Sequence, residues 1–110
     1  MNKLIIDTLK PLNVPVSLLK YSGKSNTYIT FQEYAQIGDS FSEDIEEITG
    51  HYIQLNVFSK IDYSSLVEQV KELLGNVGFK RKNEFDLFES DTGYFNHVIR
   101  FFYAENQEKI

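Results

Sequence analysis

Asp39, Glu43, Asp44, Glu46 and Glu47 place five carboxylates within nine residues of the segment GDSFSEDIEEITG. Clustered oxygen ligands of this kind suit calcium or magnesium. The spacing does not follow the EF-hand loop, which needs a central glycine and a terminal bidentate glutamate. A general acid and base would need a cleft and two environments that separate their pKa values, whereas neighbours on a polar loop share the same solvent. The segment is therefore read as an acidic loop over 38–49, solvated and mobile, with no metal ligand and no catalytic residue assigned to it.

The remaining reactive side chains give no stronger pattern. His51 and His97 are the only histidines, and a triad would also need a placed serine and an orienting carboxylate, for which there is no nucleophile-elbow motif. His51 falls at the junction of the acidic loop with the strand that follows. His97 falls on a strand face with Phe95, Ile99 and Phe101, and both histidines read as packed or surface groups. YSGKSNT contains Gly-Lys-Ser, but around Leu18 to Lys20 there is no glycine where a phosphate-binding loop needs its first, so a strand-to-strand loop is expected. No cofactor is implied. The chain has no cysteine, which removes disulfides, thiol catalysis and cysteine-ligated zinc.

Composition narrows the partners. A formal charge of −5 argues against a duplex-DNA binder, which uses basic surface to displace counterions from phosphates. Lys80, Arg81 and Lys82 form the basic run, and on a strand they would alternate between faces and stay solvated. Nine Phe and seven Tyr with no Trp favour a sheet-rich domain. The aromatic strands lack the interleaved basic residues of a single-strand nucleic-acid platform, so core packing and protein contact explain them better. No apolar run reaches the length of a membrane span, and MNKLIIDTLKPLNVP lacks a signal-peptide core and cleavage site. No membrane partner is expected, and the protein is expected to stay where it is made.

These groups must be positioned by a small set of elements. The 110 residues suit one domain with one two-layer core. Leu4, Ile5 and Leu9 have helical spacing, and Pro11 ends that helix. VSLLKY reads as a first strand and TYITFQEYAQI as a second, with Ile29 and Phe31 on its core face and Tyr28, Thr30, Gln32 and Tyr34 on the other. HYIQLNVFSK alternates most regularly, with Ile53, Leu55 and Val57 on one side. DYSSLVEQVKELLGNVGF shifts to helical period, with Leu66, Val67, Val70, Leu73, Leu74 and Val77 as its apolar stripe, Asp62 as N-cap, and Gly75 or Gly78 as terminator. FKRKNEFDLFE and YFNHVIRFFYAE flank SDTG as a closing hairpin, with 105–110 as a frayed tail. The expected fold is α+β: one mainly antiparallel sheet of about five strands, in the order helix, three strands, helix, two strands, with both helices on one face.

That order, together with TYITFQEY, GHYIQLNVFSKIDYSSLVEQVKELL and YFNHVIRFFY, resembles phage tail-terminator proteins, also called tail completion or head-to-tail joining proteins. It is closest to the small versions from phages and prophages of Gram-positive bacteria. The resemblance implies a non-enzymatic subunit that assembles into a ring, typically a hexamer, at the head-proximal end of the tail. There the ring stops polymerisation of the tail-tube protein and docks to the head-side connector protein. It further implies assembly in the host cytoplasm and residence in the virion. A closed ring of identical subunits needs two complementary patches, which strand edges or loops can supply. Opposite charge makes Glu43, Asp44, Glu46 and Glu47 on one side, and Lys80, Arg81 and Lys82 on the other, candidates for that boundary. The carboxylates would alternatively line the lumen and repel passing DNA. Two further classes stay open: a small ligand-binding or regulatory domain, and a carboxylate- or metal-dependent hydrolase.

Overall fold

The computed structural model describes the backbone over residues 1–39 and 46–108, with side chains described over 1–38 and 48–105. Helix α1, Asn2–Leu9, turns Ile5 and Leu9 into the core. Pro11 does not extend it, and a short 3-10 turn over Lys10–Leu12 closes on Asn13, whose φ of 57° suits an asparagine. Strand β1 is Val16–Leu18, β2 is Thr27–Asp39, β3 is Glu46–Ser59, β4 is Lys80–Glu89 and β5 is Tyr94–Glu108. Helix α2, Ser64–Asn76, crosses between β3 and β4.

The five strands make a single sheet in the order β1-β2-β3-β5-β4. Every neighbouring pair is antiparallel except β1 with β2, which run parallel over the register Val16 to Ile29 and Leu18 to Phe31. The α+β class, the element order and the mainly antiparallel sheet agree with the sequence pattern. Both helices cover one face, because Ile5 and Leu9 of α1 and Val67, Val70 and Leu74 of α2 share a core with Ile29, Phe31, Ile53, Leu55, Val57, Ile99 and Phe101. Period-two alternation on three adjacent strands meets two helical stripes, and burial of that shared surface holds the layers together.

Several boundaries differ from the sequence reading. The expected loop 38–49 is shorter, since Gly38 pairs with Thr49 and Asp39 with Ile48, while Glu46 and Glu47 pair across to Glu108 and Gln107. Residues 40–45 lie outside the described residues. The expected frayed tail from 105 is strand as far as Glu108. In both cases a fixed central β3 offers backbone donors and acceptors on its two sides, and its neighbours continue the ladder past the point where hydrophobic alternation fades. β2, β3 and β5 thus project as a three-stranded arm beyond the helices, and the molecule measures 53 × 25 × 23 Å.

His51 consequently lies well inside β3, opposite Gln36 and Tyr103, and not at a loop junction. Helix α2 starts one residue later than an Asp62 cap would require, but Asp62 still serves it: its Oδ1 accepts from the Ser64 amide at 2.9 Å and from the Ser64 hydroxyl at 2.7 Å. Val77, counted in the apolar stripe, is exposed at the helix end. Gly78, with φ +104°, turns the chain into β4, and Gly93, with φ +76°, closes the SDTG turn by donating to Glu89 O at 2.8 Å.

Candidate assembly surface

The helix-side face of the sheet carries both histidines, each buried and each set between two carboxylates. His51 Nδ1 lies 2.6 Å from Glu33 Oε2 on β2, and its Nε2 lies 2.9 Å from Glu105 Oε1 on β5, so one ring ties three strands at the root of the arm. Burial disfavours the charged imidazolium, but the hydrogen bonds to Glu105 and Glu33 outweigh it and raise the His51 pKa above its usual value.

His97 anchors a second network at the other end. Its Nδ1 is 2.6 Å from Asp86 Oδ1 and its Nε2 is 3.0 Å from Glu84 Oε1. The Tyr63 hydroxyl, at the start of α2, donates to the same Asp86 oxygen. Burial, helped by that bond, pushes the Tyr63 phenol up to about 12. Glu84 collects Arg81 and Lys71 as well as His97; burial opposes its ionisation, yet these three donors bring its carboxyl down to about 2. An open groove beside the network is lined by Tyr63, Ser64, Val67, Glu68, Glu84, Asp86 and His97. Neither histidine keeps a free ring nitrogen, and Ser64 Oγ donates to Asp62, so the geometry joins α2 to β4 and β5 and prepares no nucleophile. Among the described residues no group of three or more His, Asp or Glu side chains is disposed to hold a metal ion.

Among the described residues the opposite face has no helix over it and is covered by aromatic side chains. At one end Tyr21 and Phe58 stack on Tyr28, with Tyr94 edge-on. The Tyr94 hydroxyl donates to Ser25 O at 3.0 Å, which fastens the SGKSN loop to β5. At the other end Phe102 packs on Tyr52, and Gly50 leaves room for it: a Cβ there would meet the Phe102 ring at 2.7 Å. Between the two groups the Arg100 guanidinium lies 5.7 Å from the Tyr34 ring and 5.5 Å from the Phe85 ring, while its Nε donates to Gln54 Oε1 at 3.0 Å. A charge-poor face rich in Tyr and Phe around one stacked Arg has the composition of a protein-interface core. Sequence periodicity separated the two faces of β2 and β3 and placed His97 with Ile99 and Phe101 on β5. It placed Tyr34 on this side but missed the β2 bulge between Glu33 and Ala35, past which Ile37, opposite Gly50, comes to this face and Gln36, opposite His51, goes to the other.

The residues singled out for charge lie at separate places. Lys80, Arg81 and Lys82 begin β4 and are exposed, with a bulge between Arg81 and Asn83. Arg81 is paired within the chain to Glu84. Glu43 and Asp44 lie outside the described residues; Glu46 and Glu47 begin β3 in the arm. Lys80 stands opposite Phe102 and Glu46 opposite Glu108, so the backbone at the start of β4 and the backbone at the start of β3 are about 20 Å apart along β5.

No family model matches this sequence, and no curated protein matches it. Among solved structures the chain is similar to one from the "Virion of native gene transfer agent (GTA) particle", with a TM-score of 0.59 at 9% identity, covering 91% of this chain and 84% of that one. At that identity the likeness is one of fold.

Proposed function

We propose that the protein is a non-enzymatic structural subunit of a phage or phage-like particle, acting as a tail terminator. In this reading it closes into a ring, typically a hexamer, on the head-proximal end of the tail. The ring ends polymerisation of the tail-tube protein and presents the surface that joins the tail to the head connector. Assembly takes place in the host cytoplasm and the product resides in the virion. The observation that carries the reading is the fold likeness to a chain of a gene transfer agent virion over 91% of this chain, which agrees with the tail-terminator pattern in its sequence. The committed polar networks and the uncovered aromatic face support a role in assembly over one in catalysis.

Native mass spectrometry of the purified protein, alone and with the tail-tube protein of the same particle, tests this. The expected result is a ring-sized species that forms or is strengthened with the tube protein. A strict monomer that ignores the tube protein at high concentration overturns the reading. Stoichiometric uptake of calcium or magnesium would instead favour the carboxylate-dependent hydrolase.

A further inference from the structure

The two edges of the sheet differ, and each leaves a long stretch of backbone without a strand beside it. β1 covers β2 only over Ile29–Phe31, so among the described residues the outer side of β2 from Gln32 to Asp39 has no partner strand. At the opposite edge β4 runs for ten residues, Lys80–Glu89, and among the described residues it pairs only with β5. Unpaired edges of this length invite another strand unless they are short, covered, or interrupted by proline or inward-pointing charge. Past its bulge β4 has no proline; its inward charges Glu84 and Asp86 are already engaged by Lys71, Arg81, His97 and Tyr63, and it alternates Phe85 and Leu87 onto the uncovered face, where they are 38% and 50% exposed. The β2 edge presents Tyr34 and Ile37 to that face, 46% and 55% exposed. Aromatic groups of the central strands cover one another, whereas these four meet solvent at the two rims.

We infer that β4 of one copy of this chain pairs antiparallel with the Gln32–Asp39 edge of β2 in the next copy, so that the sheet continues across the subunit boundary. Strand direction decides the sense of pairing. β2 and β5 run one way and β3 and β4 the other, so a sheet extended with the same face outward brings β4 antiparallel to the next β2. That sense places the basic beginning of β4, Lys80 to Lys82, against the end of β2 that leads into the acidic segment from Asp39 to Glu47. The reverse sense would separate the charges. An offset along the strands keeps β1 of the neighbour clear and matches eight residues with ten. Because β4 and β2 are different edges, the contact is head-to-tail and can close a ring. The inference specifies the subunit boundary of the ring proposed above and rests on that reading.

The absence of cysteine gives a clean test. Tyr34→Cys or Ile37→Cys is combined with Phe85→Cys or Leu87→Cys in four double variants, mixed with tail-tube protein and oxidised. Within one chain β2 and β4 are about 14 Å apart across β3 and β5, beyond disulfide reach. Bonds therefore form only between copies. The expected result is a ladder of covalent oligomers, abolished by reductant, in at least one double variant and in none of the four single variants. Rings without a ladder in any double variant overturn the edge pairing and leave the tail-terminator reading standing. Dimers from Phe85→Cys or Leu87→Cys alone overturn it in favour of β4-to-β4 pairing. A ladder formed equally well without any response to tube protein upholds the edge pairing and counts against the terminator role. Neither ring nor ladder sinks both.

Discussion

His51 is buried and Glu84 half-buried, each is held by opposite charge, and they set opposite ends of the pH range. The His51 pKa is raised in the fold by Glu105 and Glu33 against the cost of burial. A raised histidine stabilises fully below its unfolded value of about 6.5, and its contribution disappears as pH rises through the folded value. His51→Gln should therefore cost about 2 kcal/mol at pH 6, the scale of hydrogen bonds to a charged group. The difference from the parent should narrow steadily toward pH 9 in thermal melts; a constant difference would mean that the ring acts by packing alone. Glu84 behaves inversely. With its carboxyl at about 2 in the fold against 4.5 unfolded, it stabilises above pH 4.5 and loses that contribution as pH falls toward 2. Glu84→Gln should lower stability by on the order of 2 kcal/mol at neutral pH and flatten the acid limb of a stability profile, read by urea unfolding at several pH values.

At the scale of elements, helix α2 tests how far burial follows the sequence pattern. Leu74 is fully buried against the sheet and Val77 is exposed at the helix end, although both belong to one apolar stripe. Leu74→Ala should cost about 2–5 kcal/mol in urea unfolding and Val77→Ala less than about 1, so equal losses would contradict the packing. The stripe itself, the alternation through Ile53, Leu55 and Val57, and the Ser90–Gly93 turn were legible because burial and turn geometry act on local spacing. The ends of β2, β3 and β5 were not, because polar arm residues are held in strands by the neighbouring backbone and leave no hydrophobic signature. The histidine sites were half legible. The face of His97 followed from alternation, but its carboxylate partners Glu84 and Asp86 come from another strand, and those of His51 lie 18 and 54 residues away along the chain. Pairing across strands is a property of register, which one strand's own pattern does not contain.

At the scale of the whole molecule, the starts of β3 and β4 lie far apart within one subunit, and the proposed antiparallel edge contact would bring the basic start of β4 toward the acidic segment of the next subunit. An exposed ion pair contributes only about 0.5 kcal/mol, but a ring repeats it at every boundary; over a hexamer that sums to about 3 kcal/mol, on the order of a hundredfold in ring population. Glu46→Lys and Lys82→Glu should therefore each reduce ring formation in native mass spectrometry by roughly that factor at low salt, with the deficit shrinking as salt screens the charges. The two changes together restore an opposite pair with its signs exchanged, so the double variant should recover most of the loss, a coupling that independent effects on two folded monomers would not give. If neither single reversal weakens assembly, the charges do not meet across the boundary. If both weaken it and the double variant does not recover, Lys82 and the Glu46 end of the arm contact different partners, and the tail tube or the head connector becomes the surface to map.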